Sequence, residues 1–148
     1  MSKKPLLWLS LLPLVALAAH AKAEMAHADL NAGFYRIEAE VAYTQEDRMQ
    51  GLMGRSRLGA NQGMLFVFPV AARHCMWMKN TLLPLSVAFL DEQGRIINIR
   101  DMQPQTENNH CADENARYAL EMNQGWFTAR GLKAGLPLGG LNRVPAPR

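Results

Sequence analysis

Five side chains of this 148-residue chain have the types and spacing to gather around a ligand. Trp77, Lys79 and Asn80 lie within Cys75–Thr81, Arg55 precedes them, and Glu121 comes much later. A strand that only filled a core would have no use for a cation and an amide beside a tryptophan. Lysine and arginine supply positive charge, asparagine orients through hydrogen bonds, and tryptophan offers a face for stacking. The set therefore suits a small anionic or sugar-like ligand. The plainer use of the same residues is an ion-pair network, Lys79 or Arg55 with Glu121, tying strands to a helix.

Cys75 and Cys111 are the only cysteines, and each follows a histidine, His74 and His110. In an exported chain two cysteines predict a disulfide, here one pinning a long polar loop to the Trp77 strand. A tetrahedral zinc site from the two His-Cys pairs is the weaker reading, since neighbours on a strand point to opposite faces. Met49, Met53, Met64, Met76 and Met78 cluster in sequence. Thioethers with His74 would suit Cu(I), although methionine is more often a filler of irregular cores. No metal or other cofactor is therefore assigned.

Catalysis has less to build on. Ser56, Thr81 and Ser86 are available hydroxyls, but no Gly-x-Ser-x-Gly elbow is present, and His74 and His110 are the only histidines after His27. Asp91 and Glu92 are adjacent in a turn, unlike a glycosidase pair. Phosphate-loop and dinucleotide fingerprints are missing.

The elements that must position these residues are mostly strands. Phe34–Tyr43 alternates, with Tyr35, Ile37, Ala39 and Val41 on one face. Thr44 then reads as a helix N-cap, with Asp47 three residues on, and a helix from Gln45 to about Met53 would turn Met49, Leu52 and Met53 inward. Met64–Phe68, Cys75–Thr81 and Leu85–Leu90 are apolar runs broken by Pro69 and Pro84. Asp91–Gly94 is a turn that returns the chain as Arg95–Met102, a hairpin. Gln103–Ala116 reads as a surface loop, Tyr118–Met122 as a strand, and Asn123 as the cap of a short helix ended by Gly131. Leu136–Leu138 is placed to close the sheet. The expected fold is mainly β, a β-rich α+β domain built as a compact antiparallel barrel or sandwich with two short helices.

The N-terminus gives an address. Lys3 and Lys4, the apolar run Leu6–Ala19 and Ala21-Lys22-Ala23 match a secretory signal peptide, with cleavage after Ala23. The run is too short to predict a stable membrane span after processing. Residues 1–23 are thus the signal, 24–33 a loose lead-in, 34–141 a single domain and 142–148 a frayed tail. The expected location is the periplasm. Of the 16 basic residues Lys3, Lys4 and Lys22 leave with the signal, so 13 face 13 acidic ones and the net charge of +3 disappears. A neutral domain offers no basic face for nucleic acid.

Gly51-Leu52-Met53-x-Arg55, Gly63-Met64-Leu65-Phe66-x-Phe68, Trp77-Met78-Lys79-Asn80-Thr81-x-x-Pro84-Leu85 and Tyr118-x-Leu120-Glu121-x-Asn123-x-Gly125-Trp126 occur in that order. Together they resemble the bacterial and archaeal family known as domain of unknown function 192, over roughly Ile37 to Leu138. The resemblance implies a small, mainly β domain, often exported, and implies no activity. Ser86 stands where that family often has Asp, and Met76 where an aromatic is common. The expectation drawn from all of this is a non-catalytic binding or accessory module. A hydrolase-like enzyme using the same polar residues on an envelope substrate, and a Met/His copper binder, are the alternatives.

Overall fold

The computed structural model describes residues 24–148, so the signal peptide expected over residues 1–23 lies outside the described residues. The fold is mainly β. Among the described residues eight strands run β1 Ala26–Ala32, β2 Tyr35–Ala42, β3 Gln62–Ala72, β4 Cys75–Met76, β5 Leu85–Leu90, β6 Ile96–Met102, β7 His110–Cys111 and β8 Ala116–Asn123. Six form one sheet in the order β1-β2-β3-β8-β5-β6, while β4 and β7 make a separate two-stranded ribbon. Pairing is antiparallel except between β2 and β3, which run parallel because the helix α1, Gln45–Gln50, carries the chain across.

The architecture is a curled, sandwich-like one rather than a closed barrel. Alternate residues of the central strands feed two cores. Ile37, Val41, Leu65, Val67, Leu90, Leu120 and Phe127 fill the first, and Met64, Phe66, Leu85, Val87, Phe89 and Met102 the second. Burial on both faces explains why β5 is an unbroken apolar run, with all six residues buried. Leu52, from the segment after α1, and Met78 and Ala112, which follow the two strands of the ribbon, complete the second core. Segment 136–139 bonds to both edges of the sheet, joining Asn31 to Gly139 and Arg95 to Pro137.

Several expectations are corrected. The lead-in 24–33 is mostly strand β1, paired residue for residue with β2 from Ala26↔Val41 to Ala32↔Tyr35. The helix stops at Gln50 because Gly51, at φ 48, leaves helical geometry, and a side chain there would press on Phe66 at 3.3 Å. Met49 consequently points to solvent, 69% exposed, while Leu52 is buried. The strand expected over Cys75–Thr81 shrinks to β4, and the loop expected at Gln103–Ala116 contains β7. The helix after Asn123 is a 3-10 turn, Thr128–Arg130. The tail is docked, since the Arg148 N–H donates to the Tyr43 carbonyl at 2.8 Å. As expected, the Thr44 hydroxyl caps α1 by accepting the Asp47 N–H at 3.1 Å, and Leu85–Met102 is a hairpin whose Asp91 carboxylate accepts the N–H groups of Gln93 and Arg95.

Candidate functional site

The Trp-Met-Lys-Asn-Thr block is a loop whose residues divide by role. Met78 is fully buried in the second core. Its N–H donates to the Thr106 carbonyl, and the Thr81 carbonyl accepts from the Gln105 N–H, so the loop hangs at both ends on the segment between β6 and β7. Asn80 adopts φ 53, a left-handed conformation that asparagine tolerates better than most residues, and its carbonyl accepts the Gly54 N–H at 3.0 Å. With Met78 anchored and Asn80 turning the chain, Trp77 and Lys79 are left facing outward, Trp77 46% exposed as a residue and Lys79 48% exposed at its side chain. The Lys79 ammonium lies 5.2 Å from the Trp77 ring centroid, a cation–π contact.

These three residues border a groove of about 1020 Å³. Its other walls are α1, through Glu46, Met49, Gln50 and Met53, and the end of β3 with the following turn, through Phe68, Pro69 and His74. His74 stacks on Phe68 with centroids 3.7 Å apart, and its Nε2 hydrogen-bonds the Val70 carbonyl at 2.8 Å. Arg48 also borders the groove but is committed to the carbonyls of Tyr43, Val67 and Arg148. Lys79 is less bound: Glu107 is 3.9 Å away, and both side chains are about half exposed or more. Such a surface pair holds its partners weakly.

Arg55 and Glu121 lie elsewhere. Arg55 makes a bidentate pair with Glu40, at 2.9 and 2.5 Å, beside a smaller depression formed by the loop through Arg57 and Gly59. That pairing raises the guanidinium's pKa, chiefly through the hydrogen bond to Glu40. Glu121 sits in β8 between Met64 of β3 and Val87 of β5, 3% exposed. Burial pushes its carboxyl up to about 8, and among the described residues no ion pair reaches it. The structure thus brings Trp77, Lys79 and Asn80 together and separates Arg55 and Glu121 from them. It also replaces the expected Arg55–Glu121 or Lys79–Glu121 pair with Arg55–Glu40.

Cys75 and Cys111 stand opposite each other in the ribbon and form the disulfide, which takes both thiolates out of any zinc site and belongs to an oxidising setting. Met64 and Met78 are fully buried core residues, and Met76 packs against the same cluster. Ser86 is buried, donates to the Asp101 carboxylate at 2.5 Å and accepts the Gly125 N–H at 2.8 Å. Its hydroxyl is thereby committed to joining β5, β6 and the turn after β8. The sequence signal for the helical wall of the groove was available in Met49, an apolar residue on a helix too short to bury it.

Several solved structures resemble this chain, two of them as follows. A protein of Sinorhizobium meliloti 1021, described as a candidate transcription regulator, is 32% identical and superposes with a TM-score of 0.77, over 81% of this chain and 98% of its own. A protein of unknown function from Novosphingobium aromaticivorans DSM 12444 is 27% identical with a TM-score of 0.71, over 83% and 90%. No curated protein matches the chain. The family model described as uncharacterized ACR, the domain of unknown function 192, matches residues 26–139, and the chain belongs to that family.

Proposed function

We propose that this protein is an exported, non-catalytic binding module whose ligand seats on the Trp77 ring and is held by Lys79. The observation that carries the reading is the anchoring of Met78 and Asn80, which fixes an exposed aromatic face and a weakly partnered cation at the edge of a large groove. An exposed tryptophan suits contact with a ligand, since its ring offers a large apolar area beside an N–H donor. Export to the periplasm is supported by the signal-like N-terminus and by the disulfide. An enzyme would need its polar groups to converge, and Arg55 and Glu121 are spent on other parts of the fold. A regulatory role on nucleic acid, suggested only by the description of the Sinorhizobium meliloti relative, finds no support in a domain with 13 basic and 13 acidic residues.

The test is native mass spectrometry of the protein purified from the periplasm, with Trp77→Ala and Lys79→Glu prepared alongside. A bound or added small molecule retained by the parent and lost from both variants supports the site. A ligand kept by both variants rejects the groove. A parent that carries nothing and shows no shift of the Trp77 indole resonance on adding a periplasmic small-molecule extract rejects the binding reading itself.

A further inference from the structure

Resting on the groove as a binding site, we propose that its ligand is a single-chain amphiphile with an anionic head, the head on Lys79 and the chain along the helix α1. The inner surfaces come from Met49, Met53, Phe68, Pro69 and Trp77. Thioethers, two rings and a proline give a path that an alkyl chain can follow without leaving any polar group unpaired. A sugar of similar size would have to find partners for every hydroxyl it turned toward this apolar wall. Methionine suits such a path because its unbranched, polarizable side chain adapts to a flexible ligand. Met49 and Trp77 remain 69% and 46% exposed, so the apolar strip lies open to solvent. Covering these two large side chains with an alkyl chain would add apolar burial that the free protein forgoes.

The sign of the head follows from which charge is free. Arg48 is occupied by three carbonyls, whereas Lys79 has only the distant Glu107 and the Trp77 ring. An anionic head on Lys79 displaces a weak surface pair, so little is lost in exchange. Glu46, which also borders the groove, opposes a second negative group and restricts the ligand to one charged end.

Calorimetric titration of the periplasmic protein with dodecanoate, dodecyltrimethylammonium and dodecyl maltoside, each kept below micelle formation, tests this. One dodecanoate per chain is expected, weakened about tenfold or more by Lys79→Glu and largely kept by Lys79→Arg. Dodecyl maltoside should bind less tightly and be indifferent to Lys79→Glu. Met49→Lys, at an exposed position that leaves the core untouched, should weaken both. Equal binding of all three amphiphiles, with loss in Met49→Lys, would overturn the anionic head while leaving the groove reading intact. Failure of every amphiphile to bind, with a co-purified ligand still lost from Trp77→Ala, would overturn the amphiphile and keep the site.

Discussion

Trp77, Met78, Lys79, Asn80 and Thr81 show how five consecutive residues can split between fold and surface. Met78 is fully buried and Asn80 takes the left-handed turn, so both read as architecture, and only Trp77 and Lys79 are presented outward. Glu121 shows the reverse case, a polar residue that looked like part of a site and is instead sealed within the sheet. Its carboxyl is held neutral by burial, with a pKa of about 8. The consequence for stability has a definite sign. Below the ordinary carboxylate value of 4.5 the folded and unfolded chains both carry the proton. Between 4.5 and about 8 the unfolded chain gives it up and the folded one keeps it, so stability falls as pH rises through that window and levels off above it. Glu121→Gln should remove this slope. The variant should match the parent at pH 4 and be more stable at pH 8, by on the order of a few kcal/mol. Thermal unfolding of both proteins across that range checks it, and parallel curves would mean that Glu121 is ionised in the folded state.

The β4–β7 ribbon is the element that holds the candidate site in place. Two residues per strand are too few to be stable alone. Around them Ala112 donates to the His74 carbonyl, Met78 to Thr106 and Gln105 to Thr81, and the Cys75–Cys111 disulfide crosses the middle. Trp77 is two residues from Cys75, so whatever frees the ribbon frees the ring. With the cysteines 36 positions apart in sequence, opening the bond should cost about 3–4 kcal/mol by the chain-entropy model. Hydrogen exchange in the presence of a dithiol reductant should quicken at Met76, Met78, Gln105 and Ala112. The amides of β3, β5 and β8 should stay protected, because each is paired on both sides and buried on both faces. Uniform acceleration throughout the sheet would show that the disulfide stabilises the whole fold rather than the ribbon. This ribbon was only half legible in the sequence. The cysteine pairing could be argued from compartment and count, but strands of two residues carry no period, so His110–Cys111 passed for loop.

At the scale of the molecule, the legible parts are those whose pattern is local. β2, β3, β5 and the β5–β6 hairpin follow from alternation, apolar runs and the Asp91 turn, and the mainly β class follows from them. β1 was missed because Ala26–Ala32 is rich in alanine and owes its conformation to β2, not to its own side chains. The parallel β2–β3 pair was missed because hairpin-like spacing says nothing of a helix short enough to return the chain beside its starting strand. Of the candidate site, the grouping of Trp77, Lys79 and Asn80 was legible because they are neighbours in sequence. Arg55 and Glu121 needed long-range register to place. The same dependence on distant pairing governs the sheet's edges, where β1 and β6 would expose open ladders if segment 136–139 did not bond to both. Gly140 lets that segment pass. Its φ is +94, and a Cβ there would stand 2.5 Å from the Asp29 carbonyl oxygen of β1, a backbone atom that cannot swing aside. Gly140→Val should therefore push the segment off β1, lower stability by about 2 kcal/mol or more, and let the freed edges pair between molecules. Urea unfolding with sedimentation velocity over a range of concentrations checks both halves. A destabilised variant that stays monomeric would mean that the edges are guarded by their own charges, Asp29 with Arg36 and Arg100 with Asp113, and not by the segment.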